Sequence, residues 1–171
     1  MEPNSKGSSA KCSRTSLWAA AAALVFATRL AHAPILWVEE AYPAAAVIQM
    51  LHGLVPYRDF FFDKPPLSAL FYLVWGAYPG WPLRVAGALF VVGCMWLAWF
   101  GANRFAKGAG TAAALLCAVY LTFDFPAATL ALSPDILMVA AQLGAFACLA
   151  AAMPFGAGVC AALAFLLNFK G

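Results

Sequence analysis

The residues best able to do chemistry crowd into two short stretches. Trp37-Val38-Glu39-Glu40-Ala41-Tyr42 carries two adjacent carboxylates. Adjacent acids resist joint ionisation, so one of them gains a raised pKa suited to taking a proton from an attacking hydroxyl. The same acids could equally solvate the end of an apolar helix, although at a helix C-terminus they would oppose the dipole. The second stretch, Pro56-Tyr57-Arg58-Asp59-Phe60-Phe61-Phe62-Asp63-Lys64-Pro65-Pro66-Leu67, packs four charges around three phenylalanines and stops on two prolines. Lys64 is a compact cation able to hold a phosphate, and Arg58 could do so bidentately. Arg58 could instead be tied to Asp59 or Asp63 in a structural loop. Pro65-Pro66 favours an extended, stiff backbone at Lys64.

Other polar residues are more isolated. Ser133-Pro134-Asp135 combines an N-cap, a first-turn proline and an early acid, which describes a helix start. Asp124, before Phe125-Pro126, is open to either a structural or a chemical reading. His32 and His52 stand alone, which suits packing or hydrogen bonding better than metal ligation. Phe60–Phe62 reads as a membrane-dipping anchor. Gln142 sits among apolar neighbours and suits a bond to another helix. The five cysteines show no paired or metal-type spacing, and four lie in apolar runs, so they read as small buried thiols.

The elements that must position these residues are apolar helices. The chain is 65% hydrophobic and 10% charged, with a mean hydropathy of +0.84, where a soluble domain is about half apolar. Several runs approach the ~20 residues that cross a bilayer as a helix. The expected fold is all-α: a polytopic transmembrane bundle of about five spans, at 17–38, 83–100, 108–123, 134–153 and 155–169. A basic tail over 1–16 precedes it. Between the first two spans lies a long outer loop, 39–82, carrying interfacial helices at 43–53 and 67–77. In the first of these, Ala44, Val47, Ile48 and Leu51 form an apolar stripe. Tyr72, Trp75, Tyr78 and Trp81 place the second at headgroup level.

The first span competes with a cleavable signal peptide, since a basic start and Ala31-His32-Ala33 fit the cleavage pattern. Arg29 and Pro34 favour a retained helix. With the tail inside, Arg104 and Lys107 fall inside too, in keeping with the positive-inside rule. Glu39, Glu40, Asp59, Asp63, Asp124 and Asp135 then all fall on the outer side, as a shared acidic site would require.

An acidic pair with a tyrosine after a first span, an amphipathic helix ending in glycine, then Tyr-x-Asp and Asp-Lys-Pro-Pro-Leu resembles the type C membrane glycosyltransferases. The likeness is to the bacterial protein O-mannosyltransferase and lipid A aminoarabinose transferase group, over Arg29 to the C-terminus. That resemblance implies that Glu39, with Glu40 second, stands where the family has its Asp-Glu pair and catalytic base. It implies that Lys64, in Asp63-Lys64-Pro65-Pro66, binds the lipid-linked phosphate. Arg84 matches an arginine at the start of the second span, Asp135 an acid facing the active site, and Lys170-Gly171 a Lys-Gly of a later span. The family chain is much longer, so this one is expected to be its N-terminal portion.

The expectation is an inverting transferase in a bacterial inner membrane, with the N-terminus cytoplasmic and the active face outward. It would move a sugar from a polyprenyl-phosphate donor to an acceptor hydroxyl on a lipid, glycan or protein, with no nucleic-acid partner. Catalysis would fall to Glu39 and Glu40, and donor phosphate to Lys64, Arg58 and Arg84. Asp63, Asp135 and Asp59 would be supporting acids, able to orient these groups or to hold a divalent cation. A noncatalytic membrane scaffold or partner subunit stays open as an alternative. A transporter fits less well, because the charges gather at one face and no internal repeat is visible.

Overall fold

The computed structural model describes residues 6–75, 78–123 and 132–169. Among these the protein is all-α, with seven helices and no strand. They are α1 (Lys6–Ala31), α2 (Val38–Leu51), α3 (Pro66–Val74), α4 (Trp81–Phe105), α5 (Gly110–Phe123), α6 (Pro134–Ala150) and α7 (Pro154–Leu167). Asp124 and Lys170-Gly171 lie outside the described residues, as do Gly76 and Ala77 at the end of the expected 67–77 helix.

Helix ends follow local chemistry. The first helix stops at Ala31 and not at Val38. Pro34 cannot continue a helix and biases the residue before it away from the α region. The chain turns through 32–34 and re-enters helix at Val38, five residues earlier than the expected start at Pro43. Pro43 thus lies inside α2, where its missing N–H leaves the Glu39 carbonyl without its helical donor. The helix closes through Gly53, whose φ of +86° is left-handed, with the Leu54 amide donating to the Gln49 carbonyl at 3.1 Å.

Between α4 and α5, Asn103 Oδ1 accepts from the Gly108 and Gly110 amides at 3.2 and 3.1 Å. Ser133 caps α6, its hydroxyl accepting from the Ile136 amide at 3.3 Å. The α6–α7 hairpin turns on Ala152, left-handed at φ 58°, with the Met153 amide donating to the Cys148 carbonyl at 2.8 Å. Gly156 lies within α7.

Two apolar clusters hold the helices together, and α4 belongs to both. Leu83 and Ala86 at its start join Val47, Phe62, Ala69, Tyr72, Leu132 and Leu137. Ala88, Val91, Cys94 and Met95 further along meet Val25, Ala114, Ala118 and Leu121. The helix can serve both because its apolar residues run all round it, the pattern of a helix with no water-facing side.

Among the described residues α4 is the one helix long and apolar enough to cross a membrane. The segments 16–31, 110–123, 134–150 and 154–167 are apolar but shorter.

Candidate functional site

The acidic pair is not at the end of a membrane-length helix. Glu39 and Glu40 occupy the first turn of α2, where a helix N-terminus favours negative charge. The dipole objection raised by the sequence is thereby removed. A step of about 100° around a helix sends successive side chains to different faces, and here it divides the pair. Glu39 is half-buried at the edge of an open cleft. Glu40 is fully buried.

Glu40 is the centre of an interior polar cluster. Its Oε2 accepts from Arg84 Nη2 at 3.2 Å, and its Oε1 accepts from the Leu132 amide at 3.1 Å. Arg84 also donates to the Ile35 carbonyl, and the Tyr72 hydroxyl donates to the Leu132 carbonyl. Burial pushes the Tyr72 phenol above its ordinary pKa, and the Glu40 carboxylate adds to the effect. One carboxylate thus binds α2, α4 and the approach to α6 together. Buried charges are tolerated when paired and hydrogen-bonded in this way.

The cleft beside Glu39 has a volume of about 390 Å³ and is lined by Val38, Glu39, Tyr42, Phe61, Asp63 and Lys64. Its far wall is held by Tyr42. The Tyr42 hydroxyl donates to the Phe61 carbonyl at 3.4 Å and accepts from the Asp63 amide at 3.2 Å. The Tyr42 ring stacks on Phe62 with centroids 5.3 Å apart. Phe62 is buried in the core, while Phe61 points outward. The three phenylalanines therefore do not act alike: one anchors the loop, and one borders the cleft. The Tyr57 hydroxyl donates to the Lys64 carbonyl. Burial, then the Asp63 carboxylate and Tyr42, raise the Tyr57 phenol pKa. Among the described residues, no hydrogen bond or ion pair takes up the Glu39 carboxylate or the Lys64 ammonium.

Arg58 and Asp59 are elsewhere. Arg58 donates from Nε to Asp59 Oδ1 at 2.9 Å and from Nη2 to Asp59 Oδ2 at 2.8 Å. Asp59 Oδ2 also accepts from the Val55 amide at 2.8 Å, folding residues 55–60 into a compact turn with Tyr57 at φ 67°. This is the structural-loop alternative for Arg58. Asp135 lies apart as well, its Oδ1 accepting from Asn168 Nδ2 at 2.7 Å.

Of the expected phosphate binders, Lys64 lines the cleft, Arg84 is buried against Glu40, and Arg58 is committed to Asp59. Among the described residues no three His, Cys, Asp or Glu side chains converge as cation ligands. Asp63 lines the cleft and Asp135 does not.

Sequence reasoning missed what four residues do. Tyr42 was read only as the tyrosine that follows the acidic pair, Tyr72 as a membrane-interface aromatic, and Asn168 only as part of the last expected span. Arg29 was read as favouring a retained first helix, yet it is fully buried with Nη2 donating to the Leu121 carbonyl at 2.9 Å. A polar residue inside an apolar run is the available signal for such partners. The three comparisons with known proteins find no counterpart: no protein-family model, no curated protein and no solved structure matches the chain.

Proposed function

We propose that this protein is part of a polytopic membrane glycosyltransferase. In this reading it moves a sugar from a polyprenyl-phosphate donor to an acceptor hydroxyl at the outer membrane face. The observation that carries the reading is the cleft in which Glu39, Asp63 and Lys64 come together without neutralising one another. The large apolar side chains turned outward support a lipid surround, Leu116, Val119, Tyr120, Leu149 and Phe155 among them.

In this mechanism Glu39 takes the proton of the acceptor hydroxyl as its oxygen attacks the anomeric carbon. The sugar–phosphate bond breaks on the opposite side, so configuration inverts. The Lys64 ammonium holds the phosphate and stabilises the charge it gains on leaving. Asp63, on the same wall, orients the acceptor. Glu40 acts through position alone, holding α2 so that Glu39 faces the cleft. No step uses a metal ion.

Binding of a polyprenyl phosphate to the full chain in lipid nanodiscs tests this reading. Lys64→Met should weaken binding at least tenfold, because an ion pair near lipid loses more than one in water. Lys64→Arg should keep part of it, and Glu39→Gln should leave it largely intact. Equal binding by Lys64→Met would leave the lysine as loop architecture and sink the assignment. Where the chain turns over, Glu39→Gln should cost about 10²–10⁴-fold in transfer.

A further inference from the structure

Residues 61–63 alternate across the loop: Phe62 is buried, and Phe61 and Asp63 on either side of it are exposed. The two phenylalanines are used differently. Phe62 stacks on Tyr42 and leans on Tyr57. Phe61 is 83% exposed and, among the described residues, faces no other ring. Its backbone is fixed all the same. The Tyr42 hydroxyl donates to the Phe61 carbonyl at 3.4 Å and accepts from the Asp63 amide at 3.2 Å. An uncovered aromatic face is thus held at the rim of the cleft that Glu39, Asp63 and Lys64 also line.

Those neighbours decide what the ring can meet. An isoprenoid chain laid along this wall would strip water from three charged groups and offer them no hydrogen bond in return. A sugar has two kinds of surface. Its hydroxyls can donate to carboxylates such as those of Glu39 and Asp63. Its C–H face can lie on the electron-rich face of an aromatic ring. We propose that Phe61 is the sugar platform of this cleft, stacking on the donor's sugar so that the site prefers a sugar-bearing polyprenyl phosphate to the bare carrier. The inference rests on the glycosyl-transfer reading and adds the residue that recognises the sugar. Phe61 makes and breaks no bond. Lys64 holds the phosphate that both lipids share, and Phe61 tells them apart.

The test measures binding to the full chain in lipid nanodiscs. The probes are bare polyprenyl phosphate and polyprenyl phosphates carrying glucose, mannose, N-acetylglucosamine or aminoarabinose. The parent protein should bind at least one sugar-bearing lipid more tightly than the bare one. Phe61→Leu keeps an apolar side chain but removes the ring face, and should reduce that advantage by about two- to tenfold. Phe61→Trp should keep the advantage, and binding of the bare lipid should be the same in all three proteins. Lys64→Met should weaken bare and sugar-bearing lipids together. Equal weakening of both lipids in Phe61→Leu would put the ring against the isoprenoid chain and overturn the proposal. So would an unchanged advantage, which would leave Phe61 as a membrane anchor, and so would a parent protein that gains nothing from any of the sugars. If Lys64→Met binds both lipids as the parent does while Phe61→Leu still loses the preference, the platform stands and the phosphate assignment falls.

Discussion

Glu40 and Arg84, on different helices, meet at 3.2 Å with neither side chain open to solvent. The pair does more than neutralise itself, since Glu40 also holds the Leu132 amide and Arg84 the Ile35 carbonyl. Removing one partner strands a buried charge, so Arg84→Met should cost about 3–5 kcal/mol of stability. Adding Glu40→Gln removes the stranded charge and keeps an acceptor for Leu132. The double variant should therefore be more stable than the sum of the two single losses implies. Thermal unfolding in detergent reads this, and strictly additive losses would show that the two groups do not interact.

Helical character was legible because long apolar runs leave little else to form, and the starts of α6 and α7 were marked by Ser133-Pro134 and Pro154. The break at 32–37 was less visible. Pro34 marks it, but the apolar residues Ile35, Leu36 and Val38 continue the hydropathy of the first run beyond the helix end. The acidic pair was visible as a pair; its division into one cleft acid and one buried acid was not. That division depends on which face of α2 meets α4, a long-range contact with no local mark. The partnership of Arg58 with Asp59 was available from adjacency alone.

Two glycines with opposite surroundings should respond oppositely to alanine. Gly93 is exposed within α4, with nothing within 4 Å of an added Cβ. Gly93→Ala should stabilise by about 0.5–1 kcal/mol, because glycine loses more backbone freedom on folding. At Gly110 a Cβ would lie 2.1 Å from Asn103 Nδ2 and 2.7 Å from Trp99 Cδ1. Gly110→Ala should lower the unfolding temperature by displacing Asn103 from the two amides it accepts. Equal responses at both sites would contradict this packing.

The Arg58–Asp59 turn should loosen in acid. Hydrogen bonds from Arg58, and then from the Val55 amide, hold the Asp59 carboxyl below its usual pKa. Its contribution is thus present above the unfolded value of about 3.9. It is lost as pH falls through the lower folded value. Hydrogen exchange at the Val55 amide, corrected for intrinsic rates, should show protection at pH 6 that fades below about pH 4. Asp59→Asn should exchange faster at pH 6 and show little further change. Because this turn is exposed, global stability should scarcely move. A wild-type amide protected equally at both pH values would count against the carboxylate's role.

Asp135 was open to a capping role or a site role, and its contacts suggest a third. Ser133 already caps α6 through the Ile136 amide, so Ser133→Ala should carry the capping loss of about 1 kcal/mol. Asp135 instead accepts from buried Asn168 at the end of α7. Asn168→Asp would set two carboxylates at hydrogen-bond distance, where like charges disfavour joint ionisation. That variant should unfold at a clearly lower temperature at pH 7 and recover as pH falls and one acid takes up a proton. Combining it with Asp135→Asn restores one amide and one carboxylate in exchanged positions, and stability should return toward the parent. The sign of the rescue is specific to direct contact, because a dipole effect on Asp135 alone would make the two losses add. If the exchanged pair is no more stable than Asn168→Asp by itself, Asp135 does not tie the start of α6 to the end of α7.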